Sequence, residues 1–169
     1  MKRVIGFLAA VLVLAGLAAS QSDEILKLKE RIIDIQNRSE LGFRNFALCS
    51  RILGFSSYVP LDNNVVNKAG QLLVYYEPQN VFTSKKQALY EVWYSQDMAL
   101  LKASGETLQE WPDILDFHHT TKTPVMDLFA QNSLDLSGQL APGAYKFKAV
   151  LKDKLSGKTV TRVVDFEVR

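Results

Sequence analysis

Pro142-Gly143-Ala144-Tyr145-Lys146-Phe147-Lys148-Ala149-Val150-Leu151-Lys152, then Ser156-Gly157-Lys158, then the run Thr159 to Val168, decides the fold. Tyr145, Phe147, Ala149 and Leu151 alternate with Lys146, Lys148 and Lys152. Period-2 alternation marks a strand with one buried and one wet face. Ser156-Gly157-Lys158 turns the chain. Thr159 to Val168 returns, with Val160, Val164, Phe166 and Val168 among its apolar positions. Two such arms around a Gly turn predict a hairpin.

The same pattern recurs upstream. In Gly70 to Glu77, Leu72, Val74 and Tyr76 face one way and Leu73, Tyr75 and Glu77 the other, with Pro78 expected to stop the strand. In Leu89 to Gln96, Tyr90, Val92 and Tyr94 share one face and Leu89, Glu91 and Trp93 the other. Met98 to Lys102 continues this strand or begins its partner. Phe43 to Ile52 reads as a first strand and Thr107 to Trp111 as a weak one ended by Pro112. Asp113 to Thr123 reads mostly as loop, Pro124 to Gln131 as a strand, and Leu134 and Leu136 as connection. Roughly six to eight short strands between turn signals, without βαβ alternation, predict a mainly β chain folded as an antiparallel β-sandwich.

A helix is expected before the strands. From Ser22 to Arg38, Ile25, Leu28, Ile32 and Ile35 recur at spacings of three and four, and Leu26 and Ile33 widen the stripe. Ser22 or Asp23 caps the start, and Asn37, Ser39 and Gly42 mark the end. Before it, Lys2 and Arg3 precede the uncharged run Val4 to Leu17, and Ala18-Ala19-Ser20 closes it with small residues. That is the pattern of a secretory signal peptide cleaved after Ser20. A spanning helix needs roughly 20 apolar residues, so no stable membrane anchor is expected after cleavage. The expected organisation is a signal peptide over 1–20, an amphipathic helix over 22–41 and a sandwich domain over 43–169. The expected location is periplasmic or secreted.

The chain has 20 Lys+Arg against 18 Asp+Glu. Removing Lys2 and Arg3 leaves 18 of each, so the processed chain has no global field for a polyanion. Nucleic acid is therefore not an expected partner. Cys49 is the single cysteine, which excludes an internal disulfide. It sits in Phe46-Ala47-Leu48-Cys49 and reads as a buried, inert thiol.

No residue pattern carries catalysis. There is no Gly-x-Ser-x-Gly elbow, phosphate loop or dinucleotide fingerprint. His118-His119, with Asp113 or Asp116, would suit zinc or copper if a loop brought them together. Only two histidines exist and no second ligand cluster accompanies them, so neither metal nor cofactor is expected. The aromatics are the better lead. Tyr75 and Trp93 fall on the faces opposite the core sets, and with Trp111, His118 and His119 they form the expected interaction surface.

Leu140-Ala141-Pro142-Gly143-Ala144-Tyr145-Lys146-Phe147, Asp153-Lys154-Leu155-Ser156-Gly157-Lys158 and Phe166-Glu167-Val168 resemble the final hairpin of bacterial immunoglobulin-like domains. Phe46 to Pro60, followed by Gly70-Gln71-Leu72-Leu73-Val74-Tyr75-Tyr76-Glu77, resembles a set of uncharacterised exported bacterial proteins. These combine a signal peptide, a short helix and one such sandwich. The paired cysteines of antibody domains are absent. The resemblance implies an immunoglobulin-like fold and no established activity. The expected role is a non-enzymatic protein-binding or structural module of the cell envelope, its partner an envelope protein or a second copy. The alternative is a periplasmic ligand-binding module for carbohydrate or a metal ion.

Overall fold

Strands occupy most of the computed structural model, which describes residues 21–136 and 140–169. The expected signal peptide lies outside the described residues. In chain order, helix α1 (21–38) precedes β1 (Gly42–Gly54), β2 (Ser57–Pro60), β3 (Val65–Val66), β4 (Gln71–Gln79) and β5 (Thr83–Lys86). There follow β6 (Leu89–Lys102), β7 (Thr107–Thr121), β8 (Ala130–Asp135), β9 (Gly143–Asp153) and β10 (Thr159–Val168). The chain is mainly β, with one helix and two sheets among the described residues.

The first sheet runs β2-β1-β4-β8. The second runs β3-β10-β9-β6-β5, with β7 also paired to β6. The C-terminal hairpin supplies its middle, in register from Gly143↔Val168 to Lys152↔Thr159. Long β6 meets β5 over Leu89–Val92 and β9 over Tyr94–Lys102. Its other side is taken by β7, from Tyr90↔Thr121 to Leu101↔Thr107.

Alternation puts the apolar sets of both sheets into one core. Leu48, Leu72 and Val74 from the first sheet meet Met98, Leu100, Phe147 and Phe166 from the second. Phe147, Leu72 and Val74 are fully buried, and each large side chain so placed contributes about 1.5–3 kcal/mol. A second cluster of Leu41, Val81, Val92, Tyr94 and Leu151 lies nearer α1.

Several local expectations change. Pro78 does not stop β4, which runs to Gln79 with Pro78 opposite Phe43. β8 covers only Gln71–Tyr76, so beyond Tyr76 one side of β4 is open and a missing N–H costs no ladder bond there. Asp113–Thr123 is not a loop: β7 continues through Pro112 and Asp113 to Thr121. An edge strand tolerates that proline, and Asp113, at φ 46°, donates its N–H to Asp97 Oδ1 instead. Residues 124–129 are not a strand. Val125 and Leu128 cover the second cluster from an irregular segment. Leu134 lies in β8, within the core. The helix ends at residue 38, short of 41.

Candidate functional site

The five residues singled out as an interaction surface do not share one. Trp93 and His118 do meet. They are cross-strand partners on β6 and β7, and their rings stack with centroids 4.5 Å apart. Trp93 Nε1 donates to Asp116 Oδ1 at 2.7 Å, and His118 Nε2 lies 3.0 Å from Glu91 Oε1. Glu91 is held below the usual carboxylate range, first by His118 and then by Lys86.

The other three lie elsewhere. His119 pairs with Val92, on the opposite side of β7 from His118. The strand thus separates two histidines that a loop would have let converge. Among the described residues no three His, Cys, Asp or Glu cluster for a metal. Trp111 is half-buried against the first core cluster. Tyr75 is fully buried and is no surface residue. Its outward face is covered by Tyr58, stacked at 4.2 Å, and by Phe129 at 6.0 Å. Its hydroxyl accepts from the Ser56 N–H and donates to Glu77 Oε1, both at 2.8 Å.

A better-formed site lies between α1 and β5. The wheel of α1, about 100° per residue, puts Glu30, Ile33, Asp34 and Asn37 on the side toward the sheet. Asn37 fixes that side to β5. Its Nδ2 donates to the Thr83 carbonyl and its Oδ1 accepts the Thr83 N–H, each at 2.9 Å. Two turns earlier, Glu30 accepts from Lys85 Nζ at 2.5 Å and from the Tyr90 hydroxyl. Lys85 lies 5.4 Å from the Tyr90 ring centre.

Between these two attachments runs a groove of about 470 Å³, lined by Ile33, Asp34, Phe82, Ser84 and both attachment sets. That size falls in the range of small-molecule sites. A depression of about 110 Å³ around Ala99, Glu110 and Lys148 on the outer face of the second sheet is far smaller. Glu30, Lys85 and Tyr90 shift one another through their mutual contacts. Lys85, then Tyr90, hold Glu30 below the ordinary carboxylate range. Glu30 in turn pushes up both Lys85 and Tyr90. Asp34 has no ion-pair partner among the described residues. Glu30, Asp34, Asn37 and Lys85 were not singled out from sequence. For the first three the only signal was the second, mixed face of α1, opposite the apolar stripe, and Lys85 offered only a charge in a polar turn segment.

No protein-family model matches the chain, and no curated protein matches it. Among solved structures it is similar to Pseudomonas fluorescens alkylpurine DNA glycosylase AlkC bound to DNA containing an abasic site analog. The TM-score is 0.45 and the identity 12%, over 78% of this chain and 31% of that one. The chain thus spans about a third of the glycosylase's length. Two expectations are corrected beside this finding. The exclusion of nucleic acid is withdrawn, because the similar structure holds DNA. The assignment to an envelope protein-binding or structural module, with its carbohydrate or metal alternative, is corrected by the same finding, the similar structure being a DNA glycosylase. A likeness at this level carries no argument about DNA in this chain.

Proposed function

We propose that this chain is a non-catalytic, immunoglobulin-like domain that holds a small amphipathic amine in the groove between α1 and β5. Export by a leader over residues 1–20 and kinship with exported single-sandwich proteins belong to the same proposal. The resemblance of Leu140–Phe147 and Asp153–Lys158 supports the immunoglobulin-like part, and so does the pairing of two antiparallel-rich sheets around one core.

The single observation that carries the ligand is the groove's asymmetry. Ile33 and Phe82 give it apolar contact, while the Asp34 carboxylate on its wall has no cation among the described residues. Lys85 is already committed to Glu30. An apolar tail gains from burial, and a positive head group answers Asp34. Because Asp34 is exposed, that ion pair adds little affinity, and it selects the sign of the ligand.

The test is titration with octylamine, octanol and octanoate, followed by amide and side-chain NMR shifts of Asn37, Thr83 and Tyr90. Octylamine is expected to shift these groups and to bind several-fold more tightly than octanol. Asp34→Asn removes that preference. Equal response to all three compounds, or an unchanged preference in Asp34→Asn, rejects the reading.

A further inference from the structure

The apolar stripe of α1 faces away from its own domain. Ile25 is 56% exposed, Leu28 55%, Ile32 44% and Ile35 54%, whereas Ile33 on the other face is 6% exposed. The intramolecular packing of the helix is already supplied by Ile33, Asn37 and Glu30. The stripe takes no part in it. Four large aliphatic groups in a row along one helix face, left wet, require an occupant.

The charges on the helix are sorted by side. At about 100° per residue, Lys29 falls on one border of the stripe and Arg31 and Arg38 on the other, while Lys27 lies farther round, where its charge acts on Glu30. Asp23, Glu30 and Asp34 fall on the far side, and Glu24 alone is an acid at the border. Lys29 and Arg31 have no ion-pair partner among the described residues, and Arg38 spends its Nε on the Asp34 carbonyl of its own helix. An apolar ridge bordered by three cations and one acid is complementary to an anionic, apolar-centred surface.

A lipid bilayer has that chemistry. Interfacial helices bury an apolar face at the headgroup boundary and hold Lys and Arg against anionic lipid. A second copy fits less well. A coiled coil wants three or more heptads, and Ile25, Leu28, Ile32 and Ile35 supply two. Pairing two stripes would also gather six border cations against two acids.

We infer that α1 lies on an anionic membrane surface through Ile25, Leu28, Ile32 and Ile35, with Lys29, Arg31 and Arg38 at the headgroups. The opposite face carries the sandwich. This docking is independent of any ligand in the groove.

The experiment uses the full chain in a Cys49→Ala background, with single cysteines carrying an environment-sensitive dye. Ile25→Cys, Leu28→Cys, Ile32→Cys and Ile35→Cys report the stripe; Asp23→Cys and Asp34→Cys report the far side. Vesicles of phosphatidylglycerol with phosphatidylcholine are compared with pure phosphatidylcholine. Because the dye reports its own position, insertion of the N-terminal run alone moves none of the stripe signals. The expected result is a blue shift at the four stripe positions on the anionic vesicles and none at the far-side pair. Each of Lys29→Gln, Arg31→Gln and Arg38→Gln should weaken this binding about fivefold. Equal shifts on neutral vesicles, or none on either, overturn the inference. So does shielding of the stripe that grows with protein concentration and needs no vesicles, which would assign it to a second copy. Unchanged tryptophan emission verifies that each labelled chain is folded.

Discussion

Asn37 engages both backbone groups of Thr83, giving one hydrogen bond and taking another, each 2.9 Å long. A helix side chain here does what a neighbouring strand would do for the free edge of β5. In the sequence Asn37 reads as an ordinary helix terminator. Its position inside α1, with helix continuing to residue 38, gives it this second duty. Asn37→Ala should leave Thr83 N–H and C=O without partners and cost about 1–3 kcal/mol of helix docking. Hydrogen exchange reads this directly: the Thr83 amide should lose protection while amides of β9 and β10 keep theirs. Retained protection at Thr83 would show that the helix is held by other contacts.

Acid should loosen the same junction from its other end. Glu30 is held below the ordinary 4.5 by Lys85 and Tyr90. A depressed carboxyl contributes fully above its unfolded value and loses that contribution as pH falls through its folded one. Docking of α1 should therefore be constant from neutral pH down to about 4.5 and weaken below it. Lys85 and Tyr90 are raised above 10.5 and 10.0. Their share is complete below about pH 10 and fades as pH climbs past their folded values. Proton NMR contacts between α1 and Tyr90, followed across pH, test both limbs. In Glu30→Gln the acid limb should vanish; if it persists unchanged, another carboxyl is responsible.

The readable parts of this chain are those whose neighbours lie close in sequence. Tyr145, Phe147 and Leu151 alternate with lysines because β9 has one core face and one wet face, and that contrast is written in the residues. β7 hides for the opposite reason. It is an edge strand with both faces mostly exposed, so alternation is faint, and Pro112 reads as a stop. Tyr75 hides for a third reason: its cover comes from Tyr58, Ser56 and Phe129, which no strand pattern brings together. The groove depends on Glu30 meeting Tyr90 and Asn37 meeting Thr83, contacts separated by 60 and 46 positions. Trp93 beside His118 was accessible to reasoning only as two exposed candidates, since their pairing needs the β6–β7 register.

Glu77 is a buried carboxylate whose removal should be costly. It is 1% exposed and accepts from Arg44, Asn45, Ser56 and the Tyr75 hydroxyl. Burial pushes its pKa up, but the hydrogen bonds from Asn45, Tyr75, Arg44 and Ser56 outweigh that and leave it lowered. Glu77→Ala strands several donors at once and should cost about 2–4 kcal/mol. Arg44→Ala should cost about 1 kcal/mol, since the Arg44 side chain is 57% exposed and water replaces part of its pairing. Urea denaturation of both variants fixes the ranking. Equal losses would mean that Arg44 alone carries the carboxylate.

Trp93 and Phe147 are both large aromatics on the second sheet, and the fold assigns them opposite energetic weight. Phe147 is fully buried between the sheets, so Phe147→Ala should cost about 3–5 kcal/mol through lost burial and a cavity. Trp93 stands on the outer face, where it contacts the His118 ring and the Asp116 carboxylate. Trp93→Ala removes one aromatic pair and one hydrogen bond at a half-exposed position and should cost about 1–2 kcal/mol. For a chain of this size, that is a Tm fall of roughly 2–8 °C, against a loss several times larger for Phe147→Ala. Calorimetry on the two variants, with near-ultraviolet circular dichroism to verify packing, separates the cases. A Trp93→Ala loss as large as that of Phe147→Ala would place Trp93 in a core, and the outer face of β6 and β7 would then have to be covered rather than open.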